Sequence, residues 1–380
     1  MIEVKEVKTP RQKREFLNFP LKLYKNNPCF VPPLYGDEKK IFSPDYVYYD
    51  TCEAVYYNAY RDGVMVGRIS GILQKASNQK CNEKRVRFTR FDSINDVEVA
   101  RALFDAVEAW GSSLGMDTIC GPLGFSDLER EGLLIEGFDE LATFEEQYNA
   151  DYYPQLIEAL GYRKEVDWIE RKIYAPDEGD DTLQKMADFI RRRYHLSVAS
   201  AKSTSDFLRR YGDEMFALLD KTYAHLYGTV PFTDRMKKMV LDNFKLVIKL
   251  KYVAAITDEN GKVVCFGLCL PSLARAVQPT GGRLTPLALV RLLHAINHPR
   301  ILDLALVGVD PDYANRGISV LLTSELARML RQNEVEYAET NLCLEDNFAI
   351  QNEWKRFNAQ IHKRRRSYIK ELKKEENPSL

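Results

Sequence analysis

Two strand-like apolar stretches near the start of the chain, Ala54 to Tyr60 and Val64 to Leu73, flank Arg61-Asp62-Gly63, and that Asp-Gly predicts a hairpin. Val86 to Phe91 reads as a third strand. Ser93-Ile-Asn-Asp96 has the spacing of a capping box, and apolar residues at 99, 100, 103, 104, 107, 110 and 114 then mark a helix closed by Gly115. Thr118 to Cys120 begins another strand, ended by Gly121-Pro122.

The same order returns roughly 200 residues later, which argues for duplication. Tyr252 to Ile256 and Val263 to Leu270 form the hairpin around Asp258-Glu-Asn-Gly261; Leu304 to Val309 is the next strand; Ile318, Leu321, Leu322, Leu326, Met329 and Leu330 are a helical stripe; Tyr337 to Leu344 is a further strand. Each half then shows an asparagine, a short helix and a returning strand. These run from Asn149 to Trp168–Ile173 and from Asn347 to Ser367–Lys370. The polar run Ala175–Asp181 reads as a solvated linker, so the domains are taken as 1–176 and 177–380. Between Thr182 and Asn243 the second half adds helices, Phe216 to Leu226 among them, suited to wall a pocket.

Composition narrows the partners. In 380 residues, 45% are hydrophobic and 29% charged, as in an ordinary globular protein, and 54 Lys and Arg against 55 Asp and Glu create no overall field for nucleic acid. The first residues lack the apolar run of a signal peptide, and no stretch approaches a membrane span, so the expected location is cytoplasmic. Seven scattered cysteines read as reduced thiols; Cys265 and Cys269, four apart on one strand, would lie roughly 13 Å from each other and cannot bridge.

The chemistry concentrates at Val309-Asp-Pro-Asp-Tyr-Ala-Asn-Arg-Gly-Ile-Ser319, where a strand feeds a helix through a glycine turn. Bare main-chain N–H groups at such a helix start favour a phosphate or diphosphate. Other signals are weaker. His294 and His298 have a metal-sharing spacing, but no zincin glutamate follows and Pro299 stops the helix, so no metal is expected. Gly124-Phe-Ser126 lacks the second glycine of a nucleophile elbow, and no P-loop or dinucleotide fingerprint occurs. Lys363-Arg-Arg-Arg366, the one dense basic cluster, reads as the solvated start of the last strand, with a phosphate or anionic headgroup contact, and so peripheral membrane contact, as the alternative.

Hairpin, strand, glycine turn, helix, strand, asparagine, helix, strand resembles the GNAT acyltransferase superfamily. The whole chain is similar to a bacterial family of tandem GNAT-like proteins that includes bacterial ceramide synthase, through Val66-Gly-Arg68, Gly121-Pro122, Gly132-Leu-Leu-Ile-Glu-Gly-Phe138 and Tyr148-Asn-Ala-Asp-Tyr-Tyr153. The resemblance implies an α/β (mixed α+β) protein of two tandem GNAT folds, each a central mixed sheet flanked by helices. It also implies acyl-CoA or acetyl-CoA as co-substrate and direct attack by a small-molecule or lipid amine, with an acyl carrier protein as the alternative donor.

Carried over residue by residue, the resemblance places the co-substrate on Val307, Val309, Asn315, Arg316, Gly317, Ile318, Ser319 and Asn347, with strands Leu304–Val309 and Tyr337–Leu344 parting to admit its arm. The superfamily loop pattern holds Arg or Gln where Ala314 stands and Gly or Ala where Ser319 stands, which points to weak or selective CoA binding; Arg316 offers a charge in compensation. In the first half Phe91-Asp-Ser-Ile-Asn-Asp-Val has no glycine and carries two carboxylates, so that half is read as a non-binding copy. Glu339 and Glu345 are candidate bases, with ordinary edge carboxylates as the alternative, and Tyr313 is a candidate proton donor, as is Tyr337. Tyr223, His225 and Tyr227 are a candidate acceptor wall, with a plain helix core as the alternative and His225 read as structural. A non-catalytic GNAT-like binding or scaffold protein is the other reading of the whole.

Overall fold

A computed structural model describes residues 1–177, 179–332 and 335–372. Its first half runs β1 (Ile2–Glu6), α1 (Pro10–Leu23), α2 (Tyr35–Glu38), β2 (Cys52–Arg61), β3 (Val64–Gln74), α3 (Lys75–Cys81), β4 (Arg85–Ser93), α4 (Val97–Ser113), β5 (Thr118–Gly121), β6 (Leu133–Glu136), α5 (Tyr153–Glu158) and β7 (Arg163–Tyr174). The second runs α6 (Thr182–Arg193), β8 (Ser197–Val198), α7 (Thr204–Tyr223), α8 (Asp234–Val247), β9 (Val253–Thr257), β10 (Val263–Pro271), α9 (Ala274–Val277), α10 (Pro286–Asn297), β11 (Ile301–Val309), α11 (Pro311–Ala314), α12 (Ser319–Gln332), β12 (Tyr337–Thr340), β13 (Cys343–Leu344), α13 (Phe348–Glu353) and β14 (Asn358–Glu371).

The chain gathers into two compact units. One contains Met1–Trp168, Ala274–Leu289 and residues from Lys363 on; the other contains Ile169–Leu273 and Val290–His362. Each is a mixed sheet with helices, the α/β class expected.

In the first unit β1 to β4 are successive antiparallel neighbours, and β4 runs parallel to β5. The next neighbour of β5 is the end of the chain: Tyr368 to Glu371 of β14 pair antiparallel with Gly121 to Thr118. α4 lies against β3 closely enough that a Cβ on Gly71 would meet the Trp110 ring at 3.0 Å, and Val86, Phe88, Leu103, Phe104 and Ile119 are fully buried in the resulting core. α4 begins on Asp96, whose carboxylate accepts from the amides of Glu98 and Val99; Ser93, expected as the cap, belongs to β4 instead.

In the second unit Lys172 and Ile173 of β7 pair antiparallel with β12, β12 runs parallel to β11, and β10, β9 and β8 complete the sheet. The stripe of α12 packs with Ala187 and Ile190 of α6 over Val264, Cys265, Leu302 and Ala338. Thus the strand closing the first half ends beside β12, and the strand closing the second ends beside β5. The linker is tied down rather than free: the Arg331 guanidinium donates to the carbonyls of Asp177 and Asp180 at 2.9 and 2.7 Å. Glu178 of that linker lies outside the described residues.

Candidate active site

Two parallel strands part in the second unit. β11 pairs with β12 only from Ile301–Tyr337 to Leu304–Thr340, whereas its pairing with β10 continues to Val309. The register passes from Leu304–Cys269 to Leu306–Leu268, so Ala305 is the extra residue of a bulge where β12 leaves off. Beyond that bulge one edge of β11 has no neighbouring strand among the described residues. Tyr223, the last residue of α7, covers part of it: its hydroxyl donates to the Val307 carbonyl at 3.0 Å and accepts from the Val307 amide at 3.4 Å. Because main-chain groups of alternate residues face the same edge, the Val309 amide points to that open side as well.

β11 delivers the chain to the start of α12. Gly317 adopts φ +70°, a left-handed conformation that costs other residues energy. Among the described residues, the main-chain N–H groups of Gly317, Ile318 and Ser319 make no hydrogen bond, while those of Val320 and Leu321 turn back to the carbonyls of Gly317 and Ile318. Arg316 is exposed, with its guanidinium 4.6 Å from the Tyr313 ring and 5.5 Å from that of Tyr194, and Asn315 is exposed beside it. Lys221 and Lys262 reach Asp310 at 2.6 and 3.6 Å. Burial pushes the Asp310 carboxyl up, yet the bonds from Lys221 and the Asp312 amide outweigh it and leave a net lowering. One feature opposes an anion here: the Ser319 hydroxyl donates to the Glu353 carboxylate at 3.0 Å.

At the mouth of the splay sits a buried trio. Glu339 on β12, Glu170 on β7 and His362 on β14 bring ligand atoms within 4.8 Å of one another, and His362 Nε2 is 3.2 Å from Glu339 Oε1 with both side chains only 6% exposed. Two carboxylates and an imidazole so placed can share a proton or hold a divalent cation. Glu339 was legible as a candidate; His362 and Glu170 were missed, because only the pairing of β7 with β12 brings Glu170 to that face. Thr340, on the opposite face, accepts from the Arg171 amide at 2.8 Å.

The other expected residues scatter. Glu345 is half-buried in the turn after β13, Asn347 caps α13 by accepting from the Ile350 amide, and Tyr313 is taken up with Arg316. Tyr337 packs against Tyr174 with ring centres 5.8 Å apart and the planes tilted by 51°. Of the proposed wall, Tyr223 reaches β11, Tyr227 is half-buried and His225 is exposed, while Phe216 and Leu219 are core.

The corresponding corner of the first unit is filled. There β4 also bulges, with Arg90 at φ +50°, but Arg90 is held by Glu38 at 2.7 Å and the Leu123 amide donates to the Phe88 carbonyl. Asp92 accepts from Arg68 at 2.8 Å and from the Tyr24 hydroxyl, Asp96 accepts from Arg61 at 2.6 Å, and the Ser93 amide donates to the Tyr153 hydroxyl. Burial raises the Asp92 carboxyl despite its arginine.

The basic cluster is not solvated. Lys363 and Arg365 are buried, Arg366 pairs with Asp167 at 2.8 Å and Arg364 with Glu136 at 3.2 Å, because alternate residues of β14 face inward. The cysteines are free; Cys265 and Cys269 are both buried, and burial lifts the Cys269 thiol to about 12.

No known family profile matches the chain. It is 27% identical over 376 residues to Protein YghO of Escherichia coli (strain K12), spanning 94% of this chain and 93% of that one. To the bacterial ceramide synthase of Caulobacter vibrioides it is 27% identical over 301 residues, or 77% and 76% of the two chains. Among solved structures it is similar to a tandem GNAT protein from the clavulanic acid biosynthesis pathway, with TM-score 0.55 at 11% identity over 98% and 99% of the chains. It is also similar to a GCN5-related N-acetyltransferase from Sphaerobacter thermophilus, with TM-score 0.51 at 11% identity over 98% and 96%. The chain thus has the fold of tandem GNAT proteins and is similar in sequence to Protein YghO and to a bacterial ceramide synthase.

Proposed function

We propose that the protein is an acyltransferase whose second half binds an acyl-CoA thioester and passes the acyl group to an amine. The observation that carries this reading is the edge of β11 left without a strand neighbour from the bulge at Ala305 to Val309, followed in the chain by the bare amides of Gly317, Ile318 and Ser319 at the start of α12. A diphosphate suits the helix start, and an extended amide-bearing arm suits the strand edge. The Val309 amide is then the donor for charge developing on the thioester oxygen.

Attack requires a neutral amine, and we assign its proton to the Glu339–His362 pair, which lies next to the point where β11 and β12 part. The nitrogen forms its bond to the acyl carbon as the carbon–sulfur bond breaks; the proton goes to the buried pair and the electron pair leaves with sulfur. A thiol of ordinary pKa about 8.5 departs readily, so no dedicated acid is essential. The filled corner of the first half supports its reading as a copy without a donor site. The similarity to a bacterial ceramide synthase supports a lipid amine among acceptors.

Glu353 on Ser319 and the alanine at 314 favour one rival: a GNAT-like scaffold that no longer holds CoA. Calorimetric titration of the full chain with CoA, acetyl-CoA and palmitoyl-CoA separates the two. Saturable binding weakened by Gly317→Arg is expected; no binding to any of the three ends the acyl-CoA reading.

A further inference from the structure

One face of the molecule is built in a way the acyl-transfer chemistry does not use. α10 and the residue pair before it leave Leu284, Leu287, Leu289, Val290 and Leu293 exposed, between 47% and 63% each, while Ala288 on the opposite side of the helix and Ile296 at the edge of the arc beside Leu289 are buried. At the spacing of an α-helix, Leu289, Leu293, Val290 and Leu287 follow one another around the outer side, and Arg291, His294 and His298 lie next to Leu287. Charge is as one-sided as the apolar surface. Between Glu259 and Asp303 there is no acidic residue, whereas Lys262, Arg275, Arg283, Arg291 and Arg300 all fall in that stretch of a chain whose overall balance is −1. Arg300 is paired with Glu336; Arg291 is exposed with no partner among the described residues.

An exposed apolar arc bordered by Arg291, His294 and His298, on a helix that carries no carboxylate, matches an interface where hydrocarbon begins just beneath anionic headgroups. We infer that α10 docks the protein onto an anionic lipid bilayer, its leucines entering the acyl boundary and Arg291 meeting lipid phosphates. A second copy of the chain is the poorer occupant, since a self-complementary face would set these arginines against each other. No described helix is long and apolar enough to cross a membrane, so the contact is with the surface. The basic run at 363–366, the place where sequence suggested such contact, is unavailable because half of it is buried.

The test is co-sedimentation of the full chain with vesicles of phosphatidylcholine alone and of phosphatidylcholine mixed with phosphatidylglycerol. Binding to the anionic vesicles is expected, weakened by salt, and lowered about tenfold or more both by the triple change Leu287→Ser, Val290→Ser, Leu293→Ser and by Arg291→Glu. All four side chains are exposed, so unchanged thermal unfolding keeps the comparison clean. Equal binding by parent and variants, or no binding to anionic vesicles, overturns the inference. So does a dimer of the parent by light scattering that the serine variant dissolves, which assigns the face to a second copy. None of these readouts depends on acyl transfer.

Discussion

Replacing Tyr223 with Phe removes one oxygen atom and tests what the open edge of β11 is for. In the free protein that hydroxyl both donates to and accepts from the main chain of Val307. Any extended ligand that pairs with this residue must displace it. A net protein hydrogen bond contributes about 0.5–1.5 kcal/mol, and the 3.4 Å member of the pair is the weaker, so the competing interaction is about 1 kcal/mol. Tyr223→Phe should therefore lower the urea midpoint slightly and tighten palmitoyl-CoA binding, by roughly 2- to 10-fold. Calorimetry reads the affinity directly, and denaturation monitored by fluorescence reads the stability. Looser or unchanged binding by a variant that still folds refutes the idea that Val307 is an edge on which ligand pairs.

Other changes probe the site from different sides. Glu353→Gln removes a carboxylate from Ser319, so CoA affinity should rise, most at low salt where like charges repel furthest; a fall in affinity would mean that Glu353 helps to hold the ligand. Glu339→Gln and His362→Gln should each cost about 10²–10⁴ in kcat, while thioester binding stays near that of the parent. A chelator should leave the parent's rate unchanged; a loss restored by zinc would instead give Glu170, Glu339 and His362 to a metal. Asp96→Ala in the first unit removes the cap of α4 and the Arg61 bond, costing about 1–2 kcal/mol in urea unfolding at neutral pH. The hydrogen bond from Arg61 holds the Asp96 carboxyl below its usual value, so its contribution is complete above the unfolded pKa. It is lost as pH falls through the lower folded pKa, and parent and variant should converge in acid. A gap that persists there contradicts this assignment.

Sequence periodicity placed both hairpins, the strands Val86–Phe91 and Leu304–Val309, and the helices at 97 and 319, because each has apolar residues on one face and a turn signal at its end. It missed β1 and α1 despite the Thr9–Gln12 capping box that starts the helix. It also ran Tyr337–Leu344 as one strand, where the chain breaks at Asn341 and Leu342 as β12 leaves β11. Strand neighbours were the larger gap. Nothing within Arg163–Tyr174 or Asn358–Glu371 says which strand each will pair with, and that choice is what buries Lys363 and Arg365 and sets Glu170 by Glu339. At the site, Gly317 and Glu339 were legible from local pattern; Tyr223 on Val307, Glu353 on Ser319 and His362 on Glu339 are long-range contacts with no local signature.

Hydrogen–deuterium exchange of the full chain with and without palmitoyl-CoA tests the account most directly. Protection is predicted in peptides covering Leu306–Val309 and Arg316–Ser319, with the corresponding stretch around Phe91–Val97 of the first half unchanged. Saturating ligand that leaves the two second-half segments exchanging as before, or protects the first half instead, contradicts it.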